Sequence, residues 1–572
     1  MKHFKSLKKL LISLLIFLIS LNLIHTKSAD ASIKSLLSSV QMGQEIEFTW
    51  EKIDEEDIDP KIIFWETKTF PTEKNHTLNE NSWSFINPLS KFKPSKVESS
   101  GKIIIKAPLR TGLYTIYYCA SNYDGFFCTP QRPMAVITCK NLPKKPTSKI
   151  ENIIIFISEN HSFDSIYGNY CKAEPFSNPK CNIGPECCEG IPKEQNGIKP
   201  KDLTDIQNAR YDPCHLRACE ESEMNGGKMD KYIIGGVGST PNNYVAAIDD
   251  EFSAKWYFDW ARNYAMSDRF FQSAPGQSSQ SDMYFAGGKL FFEDNDFAGQ
   301  NKKVWGNQCR ETFISYYDPT VADLLNTCGV SWTFYGQRLK EKVTRENCDN
   351  SYFDGTDNPF AYFPSLTNST TRDYNFRDFD ELITDLQNGT LPYVSYVKAL
   401  EMYTEHPGAT GGLIGGQMLS NKIINAMKSS KFYSNNTLVV LVPDESGGFY
   451  DHVSPPELSS QIDGKQYGPR TQFIVVGEQA KRNYVSHVTL EPTSLIRFIE
   501  WNYIGAEGQL ETRDTIVNNI GDLLDENKTG VKVPSLNANN PYYSKLKKEE
   551  EEKEKEKKEI KVESLKFLVN DD

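Results

Sequence analysis

Histidine is scarce in this chain, with eight in 572 residues, and two of those, His3 and His25, lie near the N-terminus. A chemistry that needs imidazoles therefore has only six others to draw on. No Cys-x-x-Cys occurs among the twelve cysteines, and the adjacent pair Cys187-Cys188 is not a zinc spacing, so disulfides are expected of these thiols in preference to a metal knuckle. Positive charge is also in deficit: 64 Lys and Arg against 76 Asp and Glu give a formal net charge of −12, which makes a nucleic-acid partner unexpected. No apolar run after residue 24 is long enough to span a bilayer, and the mean hydropathy of −0.52 argues against a multi-span membrane protein. No internal repeat is visible, which removes solenoids and propellers.

What is present begins with a leader. Lys2, Lys5, Lys8 and Lys9 precede an apolar stretch from Leu10 to Ile24, followed by Ala29-Asp30-Ala31. This reads as a secretory signal peptide over residues 1–31, an uncleaved anchor being the alternative. The even cysteine count suits an oxidising compartment, so the chain is expected to be secreted or lumenal, in an extracellular or lysosome-like setting. Cys171, Cys181, Cys187, Cys188, Cys214 and Cys219 crowd one region and predict a disulfide-stapled insertion. Sequons at Asn75, Asn368, Asn388, Asn435 and Asn527 are glycan candidates; Asn160 also heads one but is expected buried and unmodified.

The length suggests two domains. From residue 32 to 140 the signals are β: Ile46, Phe48 and Trp50 alternate with polar neighbours, as do Tyr114, Ile116 and Tyr118. A small N-terminal β-sandwich is expected, with Cys119 and Cys128 placed to pair across a hairpin. Residues 141–149 form a polar, Pro-bearing linker, residues 150–540 a larger domain, and residues 541–572 a tail in which Lys and Glu mix as a solvated or disordered segment. In the larger domain, runs such as Ile153 to Ile157, Val330 to Tyr335, Tyr393 to Val397, Leu438 to Val442 and Gln472 to Val476 alternate with helical segments at Ala254 to Met266, Gly416 to Ser429 and Thr493 to Tyr503. That alternation predicts an α/β fold with a largely parallel sheet.

Two of those runs end in acidic and amide groups. Ile153 to Ile157 leads into Ser158-Glu159-Asn160-His161, and Leu438 to Val442 into Pro443-Asp444-Glu445. Ligands in such folds bind beyond the carboxyl ends of the strands, so Glu159, Asn160, Asp444 and Glu445 are expected to meet there. Carboxylates that close repel unless a cation lies between them, which predicts one divalent metal ion. Oxygen-only donors admit Mg, Ca, Mn or Zn. A hydroxyl nucleophile beside such an ion is sought in Ala274-Pro275-Gly276-Gln277-Ser278-Ser279, where a turn delivers serines to a helix start.

These residues also carry a resemblance. Glu159-Asn160-His161-Ser162-Phe163-Asp164 resembles the Glu-Asn-Arg-Ser-Phe-Asp opening of the phosphoesterase family, which holds bacterial phospholipases C, plant non-specific phospholipases C and a bacterial acid phosphatase. Asp444-Glu445-Ser446-Gly447-Gly448-Phe449-Tyr450-Asp451-His452-Val453 resembles its Asp-Glu-His-Gly-Gly-Phe-Phe-Asp-His-Val block, and the match runs from about Ile153 to about Asn519. The resemblance implies an alkaline-phosphatase-like three-layer α/β/α domain. It implies Ser278 as nucleophile and fifth metal ligand, with Ser279 a weaker candidate because Gln277 replaces the family's Pro and Ser281-Asp282 departs from its Pro-Asn. It further implies that His215, His406 and His452 bind phosphate oxygens, one of them protonating the leaving group. His161 stands where the family has Arg, and Ser446 where it has His. The expected activity is a phosphate-ester hydrolase, phospholipase C type preferred, in peripheral contact with a membrane if the ester is a phospholipid. The alternatives are an acid phosphatase acting on soluble monoesters and an inactive binding protein.

Overall fold

The computed structural model describes residues 32–34, 37–42, 44–51, 58–66, 83–85, 100–107, 111–122, 125–140, 145–295, 316–339, 356–367, 369–456, 462–541 and 547. The expected signal peptide, most of the charged tail, the glycan candidates Asn75 and Asn368, and Cys309 and Cys348 lie outside them. The chain divides into two compact units, Met1–Ile137 and Thr138–Asp572.

The first unit holds a three-stranded and a five-stranded sheet. Period-two alternation turns Ile46, Phe48 and Ile105 of the smaller sheet and Ile62, Ile116, Tyr118, Met134 and Val136 of the larger into one buried cluster. The hairpin of Gly112–Asn122 with Gly125–Ile137 sets Cys119 opposite Cys128, and the two are bonded.

In the second unit eight strands form one sheet: β1 (Asn152–Ser158), β2 (Ala265–Ser267), β3 (Trp332–Gly336), β4 (Phe376–Asp378), β5 (Val394–Lys398), β6 (Thr437–Pro443), β7 (Ile474–Val476) and β8 (Tyr484–Ser486). Their spatial order is β4-β3-β5-β1-β6-β7-β2-β8, and β7 alone runs against the others. The expectation of a largely parallel sheet therefore holds. Every residue of β1, β5 and β6 is buried, as their unbroken apolar runs require for strands covered on both faces. Helices that bear on the site are α1 (Phe163–Tyr167), α2 (Arg217–Met224), α3 (Lys255–Asn263), α4 (Ser278–Gly287), α5 (Phe379–Asn388), α6 (Gly412–Ser429) and α7 (Pro492–Ile499). The predicted helix at Thr493 to Tyr503 is α7 followed by a wider turn over Glu500–Ile504. Residues of α1, α3, α5 and α6 pack with β1, β5 and β6 into the main core.

All six cysteines of the insertion are paired, as Cys171–Cys188, Cys181–Cys187 and Cys214–Cys219. Cys139–Cys328 closes a separation of 189 residues, which on chain entropy alone is worth on the order of 5 kcal/mol. Asn388, Asn435 and Asn527 are exposed and Asn160 is buried, as expected for glycan acceptors and a site residue. Among the described residues no helix is long and apolar enough to cross a membrane.

Candidate active site

Register decides what meets at the carboxyl edge of the sheet. Ser158 of β1 lies opposite Pro443 of β6, and Lys398 of β5 opposite Ile157 of β1. The next residues of β1 and β6 are Glu159 and Asp444, so the expected carboxylates do arrive side by side. Asp444 Oδ1 accepts the backbone N–H of Glu445 at 2.8 Å and of Asn160 at 3.3 Å. Asn160 sits at φ 63°, a left-handed conformation that Asn tolerates better than most residues. The Gly-Gly pair makes room for this meeting. A Cβ on Gly447 would lie 2.1 Å from the Asn160 carbonyl oxygen, and one on Gly448 would lie 2.4 Å from the Cys214 carbonyl oxygen. Both glycines have positive φ. One side chain there would push away the Glu159-Asn160 loop, and the other the loop that carries His215.

Ser278 opens α4, and its hydroxyl donates to Asn160 Oδ1 at 3.3 Å. Ser279 donates its hydroxyl instead to Asp357 at 3.2 Å. The two serine candidates are thus distinguished by aim. All of α4 is buried, and Asp282, one turn after Ser278, faces the strand ends with it. Glu220 on α2 fixes the turn before Ser278. It accepts from the Gly276 N–H at 2.8 Å, Gln272 at 3.2 Å and the Ser446 hydroxyl at 2.5 Å, and burial pushes its carboxyl up to about 8. Ser446 is therefore a strut between α2 and the Asp444 loop.

Among the residues expected to hold a metal, one oxygen is left without a partner. Glu445 is fully buried; its Oε2 accepts the Gly447 N–H, while Oε1 has no hydrogen-bond partner. Burial, then Glu220 and Asp444, hold this carboxyl well above its ordinary range. A buried carboxylate oxygen without a donor requires either a proton or a cation.

Sequence reasoning missed the cation that is there. Lys398 Nζ lies 3.0 Å from Asp444 Oδ2, 3.2 Å from Glu159 Oε1 and 3.4 Å from Asp282 Oδ2. Burial opposes its charge, but Asp282, Asp444 and Glu159 outweigh it and hold the ammonium well above its ordinary range.

Above these groups opens a cleft of about 450 Å³ lined by Glu159, Asp212, Asp357, Thr404 and His406. His215 and His406 stand together, rings 5.9 Å apart. His215 Nδ1 faces the Pro213 carbonyl at 3.0 Å and His406 Nδ1 the Pro407 carbonyl at 2.6 Å. Donation through Nδ1 leaves each Nε2 available. Their titrations are pushed apart: burial lowers His215, whereas for His406 burial is overcome by Glu159 and Asp212, which raise it. Asp212, His215 and His406 present ligand atoms within 4.8 Å of one another and can themselves hold a metal ion.

His452 is placed differently. Its Nδ1 is 2.7 Å from Asp164 Oδ2 and its Nε2 2.8 Å from Glu189 Oε2, so neither nitrogen is left for phosphate. Burial opposes its charge, but Asp164 and Glu189 push it up to about 9. Arg470, fully buried, bonds Asp164 at 3.0 Å and Asp451 at 2.9 Å. Asp164, Asp451, His452 and Arg470 thus form a charged pillar joining the two motif loops. His161, stacked on Phe449 with nitrogens facing the Glu159 carbonyl and Asn208, is structural, as is His487 between Asp268 and Cys181.

The profile of the Phosphoesterase family matches residues 150–504. A non-hemolytic phospholipase C of Burkholderia pseudomallei is 25% identical over 404 residues, 61% of this chain and 55% of that protein. Non-specific phospholipase C6 of Arabidopsis thaliana is 23% identical over 344 residues, 57% of this chain and 59% of its own length. An acid phosphatase of Aspergillus fumigatus is 26% identical over 137 residues, 23% of this chain and 30% of the phosphatase. The chain spans little more than half the length of the two phospholipases it matches.

Proposed function

The chain belongs to the phosphoesterase family, and on that footing we propose that it hydrolyses phosphate esters with Ser278 as nucleophile, in an alkaline-phosphatase-like layered domain that follows an N-terminal β-sandwich in the sequence. The observation that carries the reading is the Ser278 hydroxyl bonded to Asn160 beside the unpartnered Oε1 of Glu445. That orphaned oxygen fits a divalent ion held by Glu159, Asn160, Ser278, Asp444 and Glu445. When bound, such an ion supplies a lowered pKa for the serine hydroxyl and charge compensation for the phosphoryl group.

The protein groups account for the rest. Asn160, fixed by the Asp444 bond to its backbone, orients the Ser278 hydroxyl for in-line attack at phosphorus. His215 and His406 offer Nε2 to the phosphoryl oxygens from the cleft wall. His406, biased toward its protonated form, is suited to give a proton to the leaving alcohol oxygen. His215, biased toward its neutral form, is suited to take a proton from the water that then opens the phosphoseryl ester.

The phospholipase C form comes first, because relatives matched over 404 and 344 residues bear that name. One observation favours soluble monoesters instead. Phe360, Tyr362 and Phe363, the aromatics that follow Asp357 of the cleft in sequence, are buried, and Phe360 packs on Trp332 and Tyr396 in the core, so they offer no open surface to an acyl chain. The disulfides suit secretion into an oxidising compartment. Incubation with phosphatidylcholine vesicles and, separately, with a soluble aryl phosphate decides. Diacylglycerol and phosphocholine are expected from the first. Inorganic phosphate from the second alone selects the phosphatase form, and no turnover of either selects the binding protein.

A further inference from the structure

Three adjacent strand ends and one helix converge on a single ammonium. Lys398 closes β5, Glu159 follows β1, Asp444 follows β6, and Asp282 lies on the first turns of α4. The lysine is 4% exposed, and its three carboxylate contacts span 3.0 to 3.4 Å. Three carboxylates around one positive centre is how oxygen-rich cation sites are built, and an ammonium has three N–H donors to match. Asp282 depends on that charge: it is fully buried, and neither of its oxygens has a hydrogen-bond partner. Without Lys398, Asp282 would be a buried carboxylate facing two others. Its place in the metal reading is distinct too. Glu159 and Asp444 belong to both sets, Asn160, Ser278 and Glu445 only to the expected metal set, and Asp282 only to the lysine.

We propose that Lys398 is a built-in cation occupying what would otherwise be a second divalent-metal position, formed by Glu159, Asp282 and Asp444, and that it thereby keeps a divalent ion out of that position. This rests on the metal reading above. The charge arithmetic is simple: with its three partners Glu159, Asp282 and Asp444 ionised, the lysine reduces three negative charges to two. Removing it leaves the third charge uncompensated and opens space among three oxygens.

The test is binding of Mn2+ alone to the full chain, its stoichiometry measured by elemental analysis after desalting and by Mn2+ electron paramagnetic resonance, with folding checked by circular dichroism. Lys398→Ala should bind one more Mn2+ than the native chain, with spin coupling between neighbouring ions. A folded Lys398→Ala that binds no additional Mn2+ overturns the proposal. Should that variant fail to fold, Lys398→Met, which keeps the volume and removes the charge, should bind Mn2+ about tenfold more tightly or better; unchanged or weaker affinity overturns it. A native chain that binds no Mn2+ sinks the metal reading itself, whereas this inference stands or falls on the variant's gain over native. A merely structural lysine would move the melting temperature and leave stoichiometry alone.

Discussion

Replacing His452 by Gln separates a pillar from a phosphate ligand. In the folded chain the imidazole is gripped by Asp164 at 2.7 Å and Glu189 at 2.8 Å with no exposed surface, and is pushed up to about 9 from an ordinary 6.5. At about 1.4 kcal/mol per unit, the imidazolium contributes on the order of 3 kcal/mol to folding. Because the folded pKa is the raised one, that contribution is fully present below about pH 6.5 and is lost as pH climbs through about 9. The acid side has the opposite sign. Glu189, where burial is overcome by His452 and Arg269, is pulled down to about 2, so the pair also weakens as pH falls from about 4.5 toward 2. These are two views of one interaction and are not added. Urea unfolding of the native chain and His452→Gln at pH 6 and pH 9.5, disulfides intact, should show a stability gap near 3 kcal/mol that mostly closes at the higher pH. A gap of equal size at both would mean that the imidazole is neutral and the charged pillar wrong. A folded His452→Gln that loses as much turnover as His406→Ala would return His452 to the reacting groups.

Ser278→Ala should lower turnover of an aryl phosphate by about three orders of magnitude or more with an unchanged circular dichroism spectrum, while Ser279→Ala stays near native. Asp444→Ala, which removes the acceptor of two backbone N–H groups, should lose both bound metal and turnover in parallel elemental and kinetic assays; an active, metal-free preparation would refute the ion's role. The kcat/KM profile should fall on the alkaline side as His406, raised from its ordinary value, loses its proton, and His406→Gln should remove that limb. Glu220→Gln should cost less than Glu220→Ala in thermal stability, because the amide oxygen can still accept from the Gly276 N–H while the amide N–H donates to the Ser446 hydroxyl oxygen.

The strand-end argument read from sequence works where the signal is local. Glu159 and Asp444 each follow an unbroken β-branched run, so neighbouring parallel strands place them together without further information. The same argument applied to Val394–Lys398 would have delivered Lys398, but a lysine at a strand end reads as a solvated terminus until its neighbours are known. Asp282 was hidden because α4 is buried on all sides and has no amphipathic period to announce it. The partners of His452 are beyond any local pattern: Glu189 is 263 residues away and Asp164 is 288. A histidine in a motif block was therefore assigned a reacting role that its two occupied nitrogens do not support.

The disulfide-stapled insertion contributes side chains to the site. It supplies Glu189 to the pillar, Glu220 to the turn before Ser278, and His215 to the cleft. Each of these side chains follows or precedes a bonded cysteine by a few residues, and the Cys214 carbonyl packs against the backbone of Gly448 where no Cβ intervenes. A short loop held only by its own hydrogen bonds would sample many positions for His215. The Cys214–Cys219 bond on one side and the Gly448 contact on the other restrict it, so that part of the orientational cost of catalysis is met during folding. This explains why the second motif needs two glycines between its carboxylates and its aromatic pair: one admits Asn160, the partner of the Ser278 hydroxyl, and the other admits the loop that presents His215.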